Sequence, residues 1–246
     1  MKNYKIIIQY DGTKRNGWQK QGNTQNTIQR ILETALSDIL SEEITVNGAG
    51  RTDLGVHAKA QAGNFKTSSV LPPAEILNRL SETLPNDISV TEITEAPERF
   101  HARLNAKGKR YVYRVWNSPV GNVFMRKYSC RIKEALDVEK MRAAASLLAG
   151  THDFRGYSSL GRKFKKSTVR TIYSLDIKVS GPEIDFCFEG DGFLYNMVRI
   201  ITGTLIEVGE GRRSPESVEI PLETLMRADA GVLMPPHGLT LEKVVY

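Results

Sequence analysis

At 246 residues the chain has room for one large or two modest domains with a sizeable core. Its 40% hydrophobic and 25% charged content is ordinary for a globular protein, and no apolar run approaches the roughly eighteen residues of a membrane span. The net charge of +6 and pI near 9.2 favour an anionic partner, of which nucleic acid is the commonest, without requiring one. The opening MKNYKIIIQYDGTK reads as a strand, with no signal-peptide cleavage pattern. Cys130 and Cys187 lie far apart without CxxC spacing, so they offer neither a disulfide framework nor a zinc site and fit a reducing cytoplasm.

In chain order, Tyr4, Ile6, Ile8 and Tyr10 alternate with Lys5, Ile7 and Gln9, the period-2 pattern of a first strand. Asp11-Gly12 turns the chain into a polar loop ending in Gly17-Trp18-Gln19, where Trp18 reads either as a stacking surface or as a lid on the core. A helix capped by Thr24 or Asn26 runs to about residue 40, with Ile28, Ile31, Leu32, Ala35, Leu36 and Ile39 on one face. The next stretch is the most unusual: Gly48-Ala49-Gly50-Arg51-Thr52-Asp53-Leu54-Gly55-Val56-His57-Ala58, between β-like runs at 44–46 and 61–65. Glycine permits positive φ and close backbone approach, so this is a shaped loop holding charges. Two readings of Asp53 stand side by side: a turn ion pair with Arg51, or a carboxylate kept ionised in a pocket. A second helix follows Pro72-Pro73 over residues 74–83, and a strand spans 87–95. The first hundred residues therefore read β-α-β-β-α-β, the ferredoxin-like order, in which two helices cover one sheet face and leave the other for a ligand.

The region 100–114 divides the chain into halves of 1–105 and 106–246. In the strand that opens the second half, Tyr111, Tyr113 and Val115 share one face, and Arg110, Val112, Arg114 and Trp116 the other. A helix over 137–149 is capped by Asp137 and buries Val138, Met141, Ala145 and Leu148. His152-Asp153 suggests acid–base chemistry, but local loop hydrogen bonds suit adjacent side chains better. A hairpin follows, residues 168–179 and 184–188 around Ser180-Gly181-Pro182. Over 192–208 a helical stripe (Phe193, Met197, Ile200, Ile201, Thr204, Leu205, Val208) leaves Arg199 on the opposite side with Tyr195, Gly203 and Ile206. A face so poor in charge lines a cleft or a second packing surface, and a guanidinium buried there needs an anion: a substrate phosphate or a carboxylate such as Asp53. Another helix-like run starts at Pro215 and includes residues 222–226, before a last strand. Basic residues cluster at 107–110, 162–166 and 212–213, the first two beside aromatics, a mix that grips phosphates and stacks on bases. The four histidines lack metal-ligand spacing, and neither a P-loop nor a complete dinucleotide fingerprint is present, so no metal and no cofactor is implied.

The block Gly50-Arg51-Thr52-Asp53-Leu54-Gly55-Val56-His57-Ala58 resembles the active-site motif of the TruA-type pseudouridine synthases. The resemblance extends along nearly the whole chain: Tyr10-Asp11-Gly12, Gly17-Trp18-Gln19, Phe100-His101-Ala102-Arg103, Lys109-Arg110-Tyr111-Val112-Tyr113, His152-Asp153-Phe154, Asn196-Met197-Val198-Arg199 and Gly238-Leu239 are similar to family blocks in the same order. It implies an α+β fold of two ferredoxin- or RRM-like halves with mainly antiparallel sheets around a central basic cleft. It implies isomerisation of uridine to pseudouridine at positions 38, 39 and 40 of the tRNA anticodon stem-loop, by a cytoplasmic homodimer without cofactor or metal. Asp53 matches the family's essential aspartate, Arg199 the arginine that pairs with it, and Tyr111 the tyrosine that stacks on the target base. Arg51, freed from the turn, is assigned to the flipped-out backbone, and His57, Arg110 and Trp18 join it as substrate-binding candidates. Two rivals remain: a non-catalytic RNA-binding module, and an Asp-dependent nucleosidase, although the latter chemistry ordinarily needs a second carboxyl group.

Overall fold

The computed structural model describes residues 1–161 and 163–246; Arg162, the first residue of the basic run 162–166, lies outside them. The chain folds into two compact units, Met1–Lys107 with Leu241–Tyr246, and Gly108–Thr240. Where the sequence reading runs the second half to residue 246, the last six residues belong with the first unit. They are tied there by a Lys107 N–H to the Val245 carbonyl (2.8 Å), the Tyr246 hydroxyl to the Ala102 carbonyl (2.8 Å), and the Tyr246 ring against Phe100.

The first unit contains β1 (Lys2–Tyr10), α1 (Ile28–Leu40), β2 (Asn47–Gly48), β3 (His57–Thr67), α2 (Pro73–Thr83) and β4 (Ile88–Ala96), the expected β-α-β-β-α-β order. β4, β1 and β3 are neighbours in that order, all antiparallel, and β2 pairs with β3. The amphipathic pattern of α1 is realised as buried Ile28, Leu32, Ala35, Leu36 and Leu40, each worth about 1.5–3 kcal/mol when fully buried except the smaller alanine. Its cap is Thr27, whose Oγ1 accepts the Arg30 N–H at 3.4 Å, not Thr24 or Asn26. Asn26 is occupied elsewhere, donating to the Lys14 carbonyl and accepting from the Arg15 guanidinium. In the run 44–46 Ile44 and Val46 are buried and Thr45 is exposed, but the run is not a strand. The N–H groups of Ile44 and Val46 find side chains instead, Ser37 Oγ at 2.9 Å and Glu33 Oε1 at 3.1 Å, which satisfies them without a ladder.

In the second unit β5 (Gly108–Asn117), β9 (Glu183–Gly190), β8 (Val169–Ser180) and β7 (Gly150–Asp153) form an antiparallel array, with β6 (Cys130–Ile132) parallel to β5. α3 (Val138–Leu147) is capped by Asp137 as read, and buries Met141, Ala144 and Ala145, while Val138 is half-buried. The β8–β9 hairpin turns through Gly181 at φ +57°. α4 (Met197–Gly209) starts later than the sequence stripe suggests. Asn196 takes a left-handed conformation (φ 63°) that ends the preceding turn, so Phe193 and Tyr195 lie outside the helix and Tyr195 is exposed. All 13 residues of α4 are buried, so the face carrying Arg199 is a second packing surface. A strap of residues 230–234 covers it. The Gly231 N–H donates to Thr204 Oγ1 (2.9 Å), the Val232 N–H to Glu207 Oε1 (3.1 Å), and the Val232 carbonyl lies where a side chain on Gly203 would stand. The run from Pro215 is a 3-10 turn and the short helix α5 (Ile220–Thr224), ended by Leu225 at φ 58°, before β10 (Leu239–Val245). No helix among the described residues is long and apolar enough to cross a membrane.

Candidate active site

The glycine-rich loop between β2 and β3 is held at several of its peptides. The Ala49 N–H donates to the Ala62 carbonyl (2.8 Å), and Gln61 Nε2 donates to the carbonyl of Gly50 (3.0 Å). The Trp18 N–H donates to the Thr52 carbonyl (3.0 Å), and the Thr52 hydroxyl meets the Tyr10 hydroxyl at 2.8 Å. The Val56 N–H then returns to the Asp53 carbonyl (3.1 Å) with Gly55 at φ +80°, the pattern of a type II turn, which demands positive φ at its third residue. Asp53 is therefore the first residue of a tight turn whose backbone is fixed on both sides. Its side chain is half-buried, and Leu54 beside it is 60% exposed. Burial raises the Tyr10 phenol far above its ordinary value, with the Thr52 and Gln61 hydrogen bonds opposing, so this brace is uncharged.

Of the candidates in this unit, Arg51 is exposed and makes no ion pair with Asp53, which removes the local-pair reading. Trp18 is corrected: at 2% exposure it presents no face to a base. Its ring lies against Gly48, where an added Cβ would come within 2.5 Å, and near Tyr10. His57 is also corrected. It is 3% exposed and its Nδ1 accepts the Gly12 N–H at 3.0 Å, so it braces the loop instead of meeting a substrate. Because Nδ1 is an acceptor there, the 3.2 Å approach of Asp11 Oδ1 to the same atom is not an ion pair. Sequence reasoning missed Tyr10, Thr52 and Gln61 as supports. Gln61 carries no sequence signal beyond being a polar residue inside a strand, and at 0% exposure it must find partners.

In the second unit Tyr111 is 7% exposed on β5, on the aromatic face the alternation gave, with its ring edge-to-face with Phe193 at 5.3 Å. Arg199 is buried; Nε donates to the Met234 carbonyl (2.7 Å) and Nη1 to Asn196 Oδ1 (2.8 Å). Asn196 in turn donates to Ser159 Oγ at 3.0 Å, so the guanidinium is fixed by the strap, the helix cap and a neighbouring turn. Burial, and then the Arg199 charge, push His237 below its ordinary value against a Ser129 backbone hydrogen bond. Arg110 faces Glu189 at 3.5 Å on the exposed side of β5. His152 and Asp153 make the local contacts expected of them, with the Ala149 carbonyl and the Arg155 N–H. The Arg212-Arg213 cluster is not a free phosphate grip: Arg213 pairs with Glu207 (2.5 Å) and Arg212 with Glu210. Lys163, Lys165 and Lys166 are exposed.

The structure thus joins a carboxylate on a backbone-fixed glycine turn to an α+β fold with a basic surplus. A family model described as tRNA pseudouridine synthase matches residues 6–105 and 144–246, and the chain belongs to that family of isomerases. Among its relatives, tRNA pseudouridine synthase A of Bacillus sp. (strain KSM-64) is 47% identical over 246 residues, covering 100% of both chains. The tRNA pseudouridine synthase A 2 of Clostridium perfringens (strain 13 / Type A) is 43% identical over the same 246 residues, again covering 100% of both chains. A crystal structure of a Cbf5-Nop10-Gar1 complex aligns with a TM-score of 0.37 and 11% identity over 82% of this chain and 45% of that one, a likeness too slight to carry a conclusion.

Proposed function

We propose that the chain isomerises uridine to pseudouridine in the tRNA anticodon stem-loop, at the three positions implied by the resemblance, acting as a cytoplasmic homodimer. The observation that carries this is the fixed turn presenting Asp53, in a chain similar over its full length to proteins named tRNA pseudouridine synthase A. In the reaction the N1–C1′ bond of the nucleotide breaks, the base turns, and a C5–C1′ bond forms; the C5 proton leaves and N1 gains one. Asp53 acts as nucleophile or as the base on the ribose, and either role needs an ionised carboxylate at a set position. Arg199 is the cation assigned to keep it so, Tyr111 stacks on the base, and Arg51, exposed at the turn, holds the displaced backbone. Extruding a base from a stem costs a few kcal/mol, which stacking and phosphate contacts must offset.

The test is to map pseudouridine in unmodified tRNA after incubation with the wild type and with Asp53→Asn. The wild type is expected to modify the anticodon arm. The variant should bind tRNA and modify nothing. Retained activity in Asp53→Asn, or release of free uracil, would overturn the assignment.

A further inference from the structure

From Trp116 to Lys133 the chain carries Arg126, Lys127, Arg131 and Lys133 and not one acid. This stretch lies between the two segments matched by the family model. Its loop is ordered by its own hydrogen bonds: Asn122 Oδ1 accepts the N–H groups of Phe124 (3.0 Å) and Met125 (3.3 Å), and the Met125 carbonyl accepts the Ser129 N–H (2.9 Å) and hydroxyl (3.0 Å). The Trp116 indole N–H ties the wall of the loop to the Val120 carbonyl at 2.8 Å. Both guanidinium groups rest on neutral main-chain oxygens. Arg131 donates to the carbonyls of Ser118 (3.2 Å) and Pro119, and Arg126 to that of Val123. Neither pairs with a carboxylate among the described residues, so their charge is left for something outside the chain. Together with Trp116, Asn122, Ser129 and His237 they line a pocket of about 280 Å³. That lies at the small end of ligand sites (roughly 300–1,000 Å³), the scale of one base or one ribose–phosphate. In the same loop, next in sequence to the lining residues Val123 and Gly121, Phe124 is 86% exposed and Val120 72%.

We infer that the loop 118–131 and this pocket form a second RNA-contact site, in which Arg126 and Arg131 take backbone phosphate and Trp116 and Phe124 stack on an unpaired base. The inference rests on the tRNA-modifying reading above and names a part of the binding surface. Cations without acids beside exposed aromatic and apolar side chains are what single-stranded RNA requires. A second copy of the chain fits less well, since a two-fold contact through this loop would set its cations against themselves. Trp116 stands five residues from Tyr111 along β5, about 16 Å at ~3.3 Å per residue, and on the other face. The nucleotide bound here is therefore not the one assigned to Tyr111. A loop already held in shape loses little entropy on binding.

The experiment measures binding of unmodified tRNA over a range of salt for the wild type, the Arg126→Gln/Arg131→Gln double variant, and Phe124→Ala. Removing two phosphate contacts should weaken binding roughly tenfold and flatten the slope of log K against log salt by about 1.4–1.8. Phe124→Ala should weaken binding several-fold with the slope unchanged, and it alters an exposed side chain that the fold does not need. Added tRNA should also change the fluorescence of Trp116, with Trp18, 2% exposed, as a constant background. Unchanged affinity and slope in both variants, in a protein that forms pseudouridine, would overturn the inference and leave the function standing. A smaller particle with undiminished RNA affinity would also overturn it, by assigning the loop to contact between copies. Weakened RNA binding in a protein that forms no pseudouridine would uphold the contact site and remove the function.

Discussion

At Gly48 the space for a side chain is taken by an indole. A Cβ there would lie 2.5 Å from the Trp18 ring, and the same loop holds the Thr52 carbonyl through the Trp18 N–H. Gly48→Ala is therefore expected to cost about 1–3 kcal/mol of stability and to lower turnover by shifting the Asp53 turn, as read by thermal melting and pseudouridine formation. Gly22→Ala is the matched control, since a Cβ at Gly22 would meet nothing within 4 Å and should leave both readouts unchanged. The turn at Asp53 was legible in the sequence because glycines, an arginine and an aspartate seldom crowd into eleven residues without a shaped loop. The direction of Trp18 was not legible. A tryptophan in a Gly- and Gln-rich loop reads the same whether its ring faces inward or outward, and the deciding residue, Gly48, is thirty positions away. His57 was misread for the same reason: its partner is a backbone N–H on Gly12, which no side-chain pattern reveals.

The element that departs furthest from an ordinary surface helix is α4, buried on every side. Its charge-poor reverse face was visible in the sequence as either a cleft or a second packing surface, but the strap 230–234 that fills it was not, because that segment bonds through main-chain groups and has no periodicity of its own. Gly203 is where the two approach most closely: an added Cβ would stand 1.9 Å from the Val232 carbonyl oxygen. Gly203→Ala should displace the strap, with it the Met234 carbonyl that holds Arg199, and lower Tm by several degrees at about 2–4 °C per kcal/mol. An unchanged Tm would mean that the strap gives way freely. In α3 the Lys140 N–H, donated to the Asp137 carboxylate, holds that group below the ordinary aspartate range, with the Lys140 ammonium adding to it. A carboxyl whose folded pKa is depressed stabilises the fold above its unfolded pKa, and this is lost as pH falls through the folded value. The Tm difference between the wild type and Asp137→Ala should accordingly be full at neutral pH and close in the acid range below the usual aspartate pKa. A difference that persists unchanged through that range would contradict the cap.

For the molecule as a whole, the sequence pattern carried the β-α-β-β-α-β order of the first unit and, in the second, the opening strand, the hairpin and the helices, but not the short strands β6 and β7. Periodicity reports which faces are apolar, and here the apolar faces match the elements. It did not reveal that the last strand returns residues 241–246 to the first unit, since strand pairing distant in sequence leaves no local trace. The basic surplus was legible as a total and misleading in detail: Arg212 and Arg213 are absorbed by Glu210 and Glu207, whereas the acid-free loop 118–131 drew no notice because its cations are spread over six positions. Family membership and the role proposed for Asp53 both call for one chemical event, the loss of hydrogen from C5 of a tRNA uridine. The direct measurement is tritium release from tRNA labelled at uridine C5, with the wild type and Asp53→Asn side by side. The account predicts release by the wild type, matched by pseudouridine in the anticodon arm, and none by the variant. No release from several unmodified tRNAs, or equal release by both proteins, would contradict it.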